Sequence, residues 1–283
     1  MNKQTRWTDR GCFASLPPAI LVLGFALLQL GGCASHPAQS NGSTSATPST
    51  GSAEADKNAQ IRLELAEGYY QRGQAEVALS EVGKALDQAP DYVPAYTMQA
   101  LIQMSLGQNP QAEQSFRKAL SIAPNNADAL HNYGWFLCTN RRYAESFTMF
   151  QRALAVPGYR YPERTDLAYG VCQYRDGDLA GAEKTLRAGF ALDPANPALS
   201  TNLALVLYRQ NKFKDALFYI QRVNSGKYAS AQSLWVGVLI ARRSGDALDA
   251  SSWTTQLEQR FPDSREAIAV QQGRFDDPSL LPR

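Results

Sequence analysis

Apolar residues recur along most of the chain at steps of three and four, as in Leu63, Ala66 and Tyr70 or Phe116, Ala119 and Leu120. That spacing gives each helix one apolar face and does not match the alternation of a strand. The pattern itself repeats every 34 residues. With Ala59 as position 1, Leu65 and Ala66 occupy positions 7 and 8, Gly73 position 15, Ala78 position 20, Ala85 position 27 and Pro90 position 32. A second unit from Val93 fills the same small-residue slots with Ala100, Gly107, Ala112, Ala119 and Pro124. Further units start at Ala127, Glu163, Pro197 and Ala231, supplying Gly134, Ala153, Gly170, Gly177, Ala182, Pro194, Ala204, Ala216, Val238, Gly245, Ala250 and Pro262. The fourth start lies 36 residues after the third, which puts two extra residues in the link 156–162. Ser146 at position 20 and Val223 at position 27 are among the departures from small apolar residues.

Each slot has a physical reason. Small side chains at positions 8 and 20 let the two helices of a unit approach closely, and Ala at 27 admits the next unit; a larger group there would overpack the contact by roughly 1 to 3 kcal/mol. Glycine at 15 reaches the left-handed conformation that ends a helix, and proline at 32 cannot continue one. This period and these slots resemble the tetratricopeptide helix-turn-helix unit. The expected fold is all-α, a right-handed superhelical solenoid of six tetratricopeptide repeats over residues 59–268, with residues 269–283 as a C-terminal tail.

Ahead of the repeats, Lys3, Arg6 and Arg10 precede an apolar run over residues 19–30, the order of a secretory signal. The run is shorter than the roughly 20 residues a membrane-crossing helix needs. Leu30-Gly31-Gly32-Cys33 resembles a bacterial lipobox. The resemblance implies that residues 1–32 are removed and that Cys33 carries lipid, including a fatty acid such as palmitate; with Ala34 and not Asp next, it implies an outer-membrane address on the periplasmic face. At about 0.8 kcal/mol per buried methylene, such an anchor is effectively permanent. Residues 35–56, mostly Ser, Thr, Gly, Ala and Pro, are expected to stay disordered, so residues 33–58 read as a lipid-anchored tether spanning roughly 25 to 30 Å.

The chain has 28 basic and 26 acidic side chains, and loss of residues 1–32 leaves 25 of each. A neutral mature protein argues against nucleic acid as a partner, since that would select a basic surface. The two histidines, His36 and His131, stand apart, no HExxH or CxxC run occurs, and no nucleophile elbow is present. No catalytic group, metal site or cofactor is assigned, and the chain does not read as an enzyme. Cys12 leaves with the signal and Cys33 takes lipid, so Cys138 and Cys172 remain as a pair on neighbouring helices. In an oxidising periplasm they either bond or stay as buried thiols.

Positions 2, 5, 9, 12 and 13 of the first helix face the inside of such a solenoid. They read Leu63, Glu67, Tyr70 and Gln71, then Thr97, Leu101, Met104 and Ser105, then His131, Trp135, Cys138 and Thr139. Leu63, Tyr70, Leu101, Met104 and Trp135 are the candidates for an apolar partner-binding groove suited to an amphipathic helix or extended peptide; packing against neighbouring helices is the other use for each. The basic residues of a carboxylate clamp are missing there, while Arg209, Arg242 and Arg243 fall at later slots.

Several stretches go beyond the generic repeat: Asn132-Tyr133-Gly134-Trp135-Phe136-Leu137-Cys138, Arg142-Tyr143-Ala144-Glu145-Ser146-Phe147, Tyr161-Pro162-Glu163-Arg164 and Ala231-Gln232-Ser233-Leu234-Trp235-Val236-Gly237. Together with the lipobox they resemble the PilF/PilW family of type IV pilus biogenesis lipoproteins, over about residues 59–268. The resemblance implies an outer-membrane pilotin that helps secretin subunits reach the membrane and multimerise, with the secretin as protein partner and the outer membrane reached through the lipid. The alternatives are a repeat scaffold for outer-membrane protein insertion, or a regulatory partner of a cell-wall hydrolase. The stretch 273–283 has no counterpart in the resemblance.

Overall fold

The structure, a computed structural model, describes residues 50–276 and Leu280. Among the described residues there are thirteen α-helices and no strand: α1 (Thr50–Gln71), α2 (Ala75–Gln88), α3 (Val93–Ser105), α4 (Asn109–Ile122), α5 (Ala127–Thr139), α6 (Tyr143–Leu154), α7 (Pro162–Asp176), α8 (Leu179–Leu192), α9 (Pro197–Arg209), α10 (Phe213–Asn224), α11 (Ala231–Ser244), α12 (Ala247–Arg260) and α13 (Arg265–Gln271). The first twelve pair into the six expected units. Each unit's two helices pack on each other, and each first helix also touches the first helix of the next unit, from α1 on α3 to α11 on α13. Second helices of successive units make no comparable contact. First helices therefore line the inside of the solenoid and second helices its outside.

The turns inside the units show why the period survives imperfect sequence. Position 15 has positive φ in all six: Gly73, Gly107, Gly177 and Gly245, but also Arg141 and Asn211, both at φ 61°. Two units thus take the left-handed turn without glycine, a strain of about 1 kcal/mol at an arginine, because packing on both sides holds the turn. Helix starts are fixed by side-chain caps at Asn126, Asp178, Asn196, Ser230, Asp246 and Ser264.

Within a unit the helices meet where sequence places a small residue. A Cβ on Gly134 would lie 2.9 Å from the ring of Phe150, and one on Gly170 would lie 2.5 Å from Leu186. In the sixth unit this contact belongs to Gly237 against Trp253, at 2.7 Å, one residue before the expected slot at Val238.

Two boundaries differ from expectation. Helix α1 begins at Thr50, inside the stretch expected to be unstructured tether. Residues 53–58 are exposed or half-exposed, so they bury little; they are Ala, Glu, Ala, Asp, Lys and Asn, and extending an already nucleated helix costs little. Low apolar content goes with the exposure of residues 53–58 and does not prevent helix there. At the other end, α13 crosses the expected boundary at 268. Arg265 stands 34 residues after Ala231, and α13 packs on α11 and α12 as a first helix packs on the unit before it. It is the start of a seventh unit, stopped early by Gly273 at φ 65°. The signal peptide, Cys33 and the tether up to residue 49 lie outside the described residues.

Gly134→Ala is expected to lower stability by about 1 to 3 kcal/mol, read as a drop in urea midpoint, with Phe150→Leu in the same chain recovering part of the loss.

Candidate functional site on the inner face

The inner-face slots do not behave alike. Position 5 is a seam between successive first helices: Thr97, His131, Thr201 and Trp235 are buried there. Leu63 belongs to this set. It is 8 % exposed and lies in the core with Ala59, Ala66, Val82, Met98 and Ile102, so it is a packing residue and drops out of the groove. Positions 9 and 12 are different. Tyr70, Leu101, Met104 and Trp135 are half-buried, each resting on the core beneath it with one side toward solvent. They sit over three successive core clusters, Tyr70 on the first, Leu101 and Met104 on the second, Trp135 on the third. The strip continues through Val171, Tyr174 and Tyr208, which occupy the same slots in the fourth and fifth units. The same slot rule identifies all three from sequence.

Toward the C-terminal half, guanidinium groups join the strip. Arg175 lies over the ring of Trp135 at 5.0 Å, and burial pushes its pKa down; its Nε has no partner among the described residues. Stacking on an aromatic face offsets part of that desolvation. Arg209 stands beside the hydroxyl of Tyr174. The inner face thus passes from apolar at the N-terminal end to aromatic and cationic at the C-terminal end.

Two close contacts sit at its middle. The sulfurs of Cys138 on α5 and Cys172 on α7 are at bonding distance, with Cα atoms 5.9 Å apart, inside the range a disulfide allows. At the other end of the same helix pair, His131 Nδ1 lies 2.9 Å from Thr165 Oγ1, and Tyr159 Oη lies 2.8 Å from the same oxygen. Tyr159 comes from the lengthened link 156–162, which gives the two extra residues a use. His131 is therefore a structural group; burial first, and the charge of Arg164 second, hold its pKa down at about 3. Arg164, from the Tyr-Pro-Glu-Arg stretch, donates to Asn132 Oδ1 at 3.2 Å and lies 3.8 Å from Asp128 Oδ1, tying that stretch to α5. Asp166, buried beside this seam, has its pKa pushed up to about 6 by burial and by Glu163.

Comparison with known proteins places this geometry. Tetratricopeptide repeat models match residues 93–126, 115–147 and 173–234. Type IV pilus assembly protein PilF of Pseudomonas aeruginosa is 30 % identical over 213 residues, which is 74 % of this chain and 82 % of that protein. The crystal structure of PilW, described as a widely conserved type IV pilus biogenesis factor, superposes with a TM-score of 0.69 at 33 % identity, covering 75 % of this chain and 98 % of PilW. The chain belongs to the PilF/PilW family. A solved structure of Pseudomonas aeruginosa PilF agrees, with a TM-score of 0.69 at 27 % identity over 78 % of this chain and 99 % of that one.

Unfolding the chain without reductant and then alkylating is expected to leave Cys138 and Cys172 unmodified by peptide mass spectrometry; modification of both would remove the bond. Reduction is expected to cost about 3 to 4 kcal/mol of stability for a loop of this length. The buried pair His131 and Asp166 gives opposite pH slopes. Between pH 6.5 and about 3 the unfolded chain binds a proton at His131 that the folded chain refuses, so stability falls on acidification. Between pH 3.8 and about 6 the folded chain keeps a proton on Asp166 that the unfolded chain releases, so its cost grows as pH rises and is fully present above 6. Asp166→Asn is expected to stabilise by roughly 1 to 3 kcal/mol at pH 7.5 and to have no such effect at pH 3.5, measured by urea unfolding at both.

Proposed function

We propose that this chain is a pilotin, a non-catalytic outer-membrane lipoprotein anchored through lipid on Cys33. It captures type IV pilus secretin subunits on the inner face of its first three units and promotes their membrane localisation and multimerisation. The observation that carries this reading is the half-buried strip of Tyr70, Leu101, Met104 and Trp135 on a PilF/PilW frame. Side chains already held on one side by the core lose little rotamer freedom when a partner covers the other side, and the area they still expose is apolar. An amphipathic segment of the secretin laid along this strip would bury it at about 25 cal/mol per Å². The lipid and the stretch before α1 give the site its membrane address and its reach.

Leu101→Glu and Trp135→Glu are each expected to reduce secretin capture at least tenfold in a pull-down from solubilised membranes, with unchanged far-UV circular dichroism. Cys33→Ser is expected to keep capture and lose the membrane fraction. Unchanged capture by both glutamate variants rules out this strip, and co-purification dominated by an insertion barrel or a cell-wall hydrolase replaces the secretin as partner.

A further inference from the structure

The chain's last described residues fold back onto the inner face of the sixth unit. Phe275 stacks on Trp235 with ring centroids 6.1 Å apart and planes within 10°, and the guanidinium of Arg242 covers Phe275 at 3.8 Å from the ring centre. Asp276 lies 3.6 Å from Arg243. Leu280 then returns to the same core cluster as Trp235. Trp235, Leu239, Arg242 and Arg243 are positions 5, 9, 12 and 13 of the sixth unit, so the tail occupies the slots that line the inner face elsewhere. It does so because the seventh unit stops at Gly273: the half-helix that would cover the end of α11 is missing. In its place is a cavity of about 740 Å³, which Phe275 and Asp276 line without filling, together with Tyr208, Leu239, Arg242 and Arg243. Asp246 also lines it, so its charge is mixed, and the two arginines are the groups nearest the tail.

We propose that the sixth-unit surface beneath the tail, formed by Trp235, Arg242 and Arg243 beside this cavity, is a second peptide-binding site, separate from the strip of the first three units, and that it takes a segment of another protein carrying an aromatic residue followed by a carboxylate. Phe275-Asp276 is its resting occupant and displays that chemistry: a ring clamped between an indole and a guanidinium, and an acid toward Arg243. A partner segment binds by displacing the tail. The tail holds the site through tethering, with an effective concentration on the order of millimolar, while its ion pair is solvent-exposed and therefore weak.

The test uses the full chain in mild detergent and a fluorescein-labelled peptide of residues 273–283 supplied in trans. The Phe275→Ala chain is expected to bind this peptide at least tenfold more tightly than the intact chain. Arg242→Glu added to Phe275→Ala is expected to abolish binding, and so is replacing the peptide's phenylalanine by alanine. In the intact chain, millimolar unlabelled peptide is expected to speed hydrogen exchange at the amides of residues 273–276. Equal binding by the intact and Phe275→Ala chains, binding that survives Arg242→Glu, or exchange that the peptide leaves unchanged would each show that the tail is only a cap on the last repeat.

Discussion

Each unit closes around one pair of residues sixteen apart: Ala66 and Val82, Ala100 and Phe116, Gly134 and Phe150, Gly170 and Leu186, Ala204 and Ile220, Gly237 and Trp253. The small member lets the helices approach, and the large one fills the space this opens; the large members are buried in every unit. Where the small member is glycine, the partner stands where a methyl would be. Close-packed interiors leave no slack for an added carbon, so the pair fixes the distance between the helices and hence the rise of the solenoid. The sixth unit shows that the pair governs and not the slot count. Its glycine comes one residue early, its tryptophan comes one residue early as well, and the spacing of sixteen is kept.

Between units the geometry is shared while the chemistry changes. At the junction of the second and third units, Arg142 reaches Glu113 at 2.8 Å, and between the fourth and fifth Lys212 reaches Glu183 at 2.6 Å. Both pairs join position 21 of one unit to position 16 of the next. Arg142 holds the Glu113 carboxyl down at about 2, although pairs this close to solvent add only modest stability. The third and fourth units have Phe147 and Asp178 at those positions and so lack the clamp. That junction instead carries the Cys138 and Cys172 pair and the His131–Thr165–Tyr159 chain, both on the inner side. The lengthened link is therefore compensated where it occurs, by contacts that include a residue of the link itself.

Most of this was legible in the sequence because repetition averages out local exceptions. The period, the helix pairs and the small-residue contacts followed from slot positions alone. Arg141 and Asn211 were silent, since nothing in a single residue says that its neighbours will force a left-handed turn. Leu63 was misread because slot rules give a direction around the helix axis and not the distance to the next helix; position 5 points inward yet is covered by the seam. The early start of α1 escaped because composition reports burial, and an exposed helix extension needs none. The seventh unit escaped because it is only seven residues long, too short to repeat the signature. Its one clue was that Arg265 keeps the register.

A truncated seventh unit also explains why the two halves of the inner face differ. A solenoid's internal units are covered on both sides, so their inner residues can be half-buried and apolar without exposing a large patch, as Leu101, Met104 and Trp135 are. Among the described residues the sixth unit is covered only by the short α13 and by Phe275 and Leu280. An apolar strip carried to that end would be an open hydrophobic surface, which soluble proteins avoid unless a partner covers it. Charged side chains at positions 12 and 13 solve this, because a guanidinium can lie flat on a ring and still be hydrated at its edge. Arg242 on Phe275 is that solution at the end, and Arg175 on Trp135 is its echo in the middle. The shift from apolar to aromatic and cationic along the inner face thus follows from the physics of a finite stack.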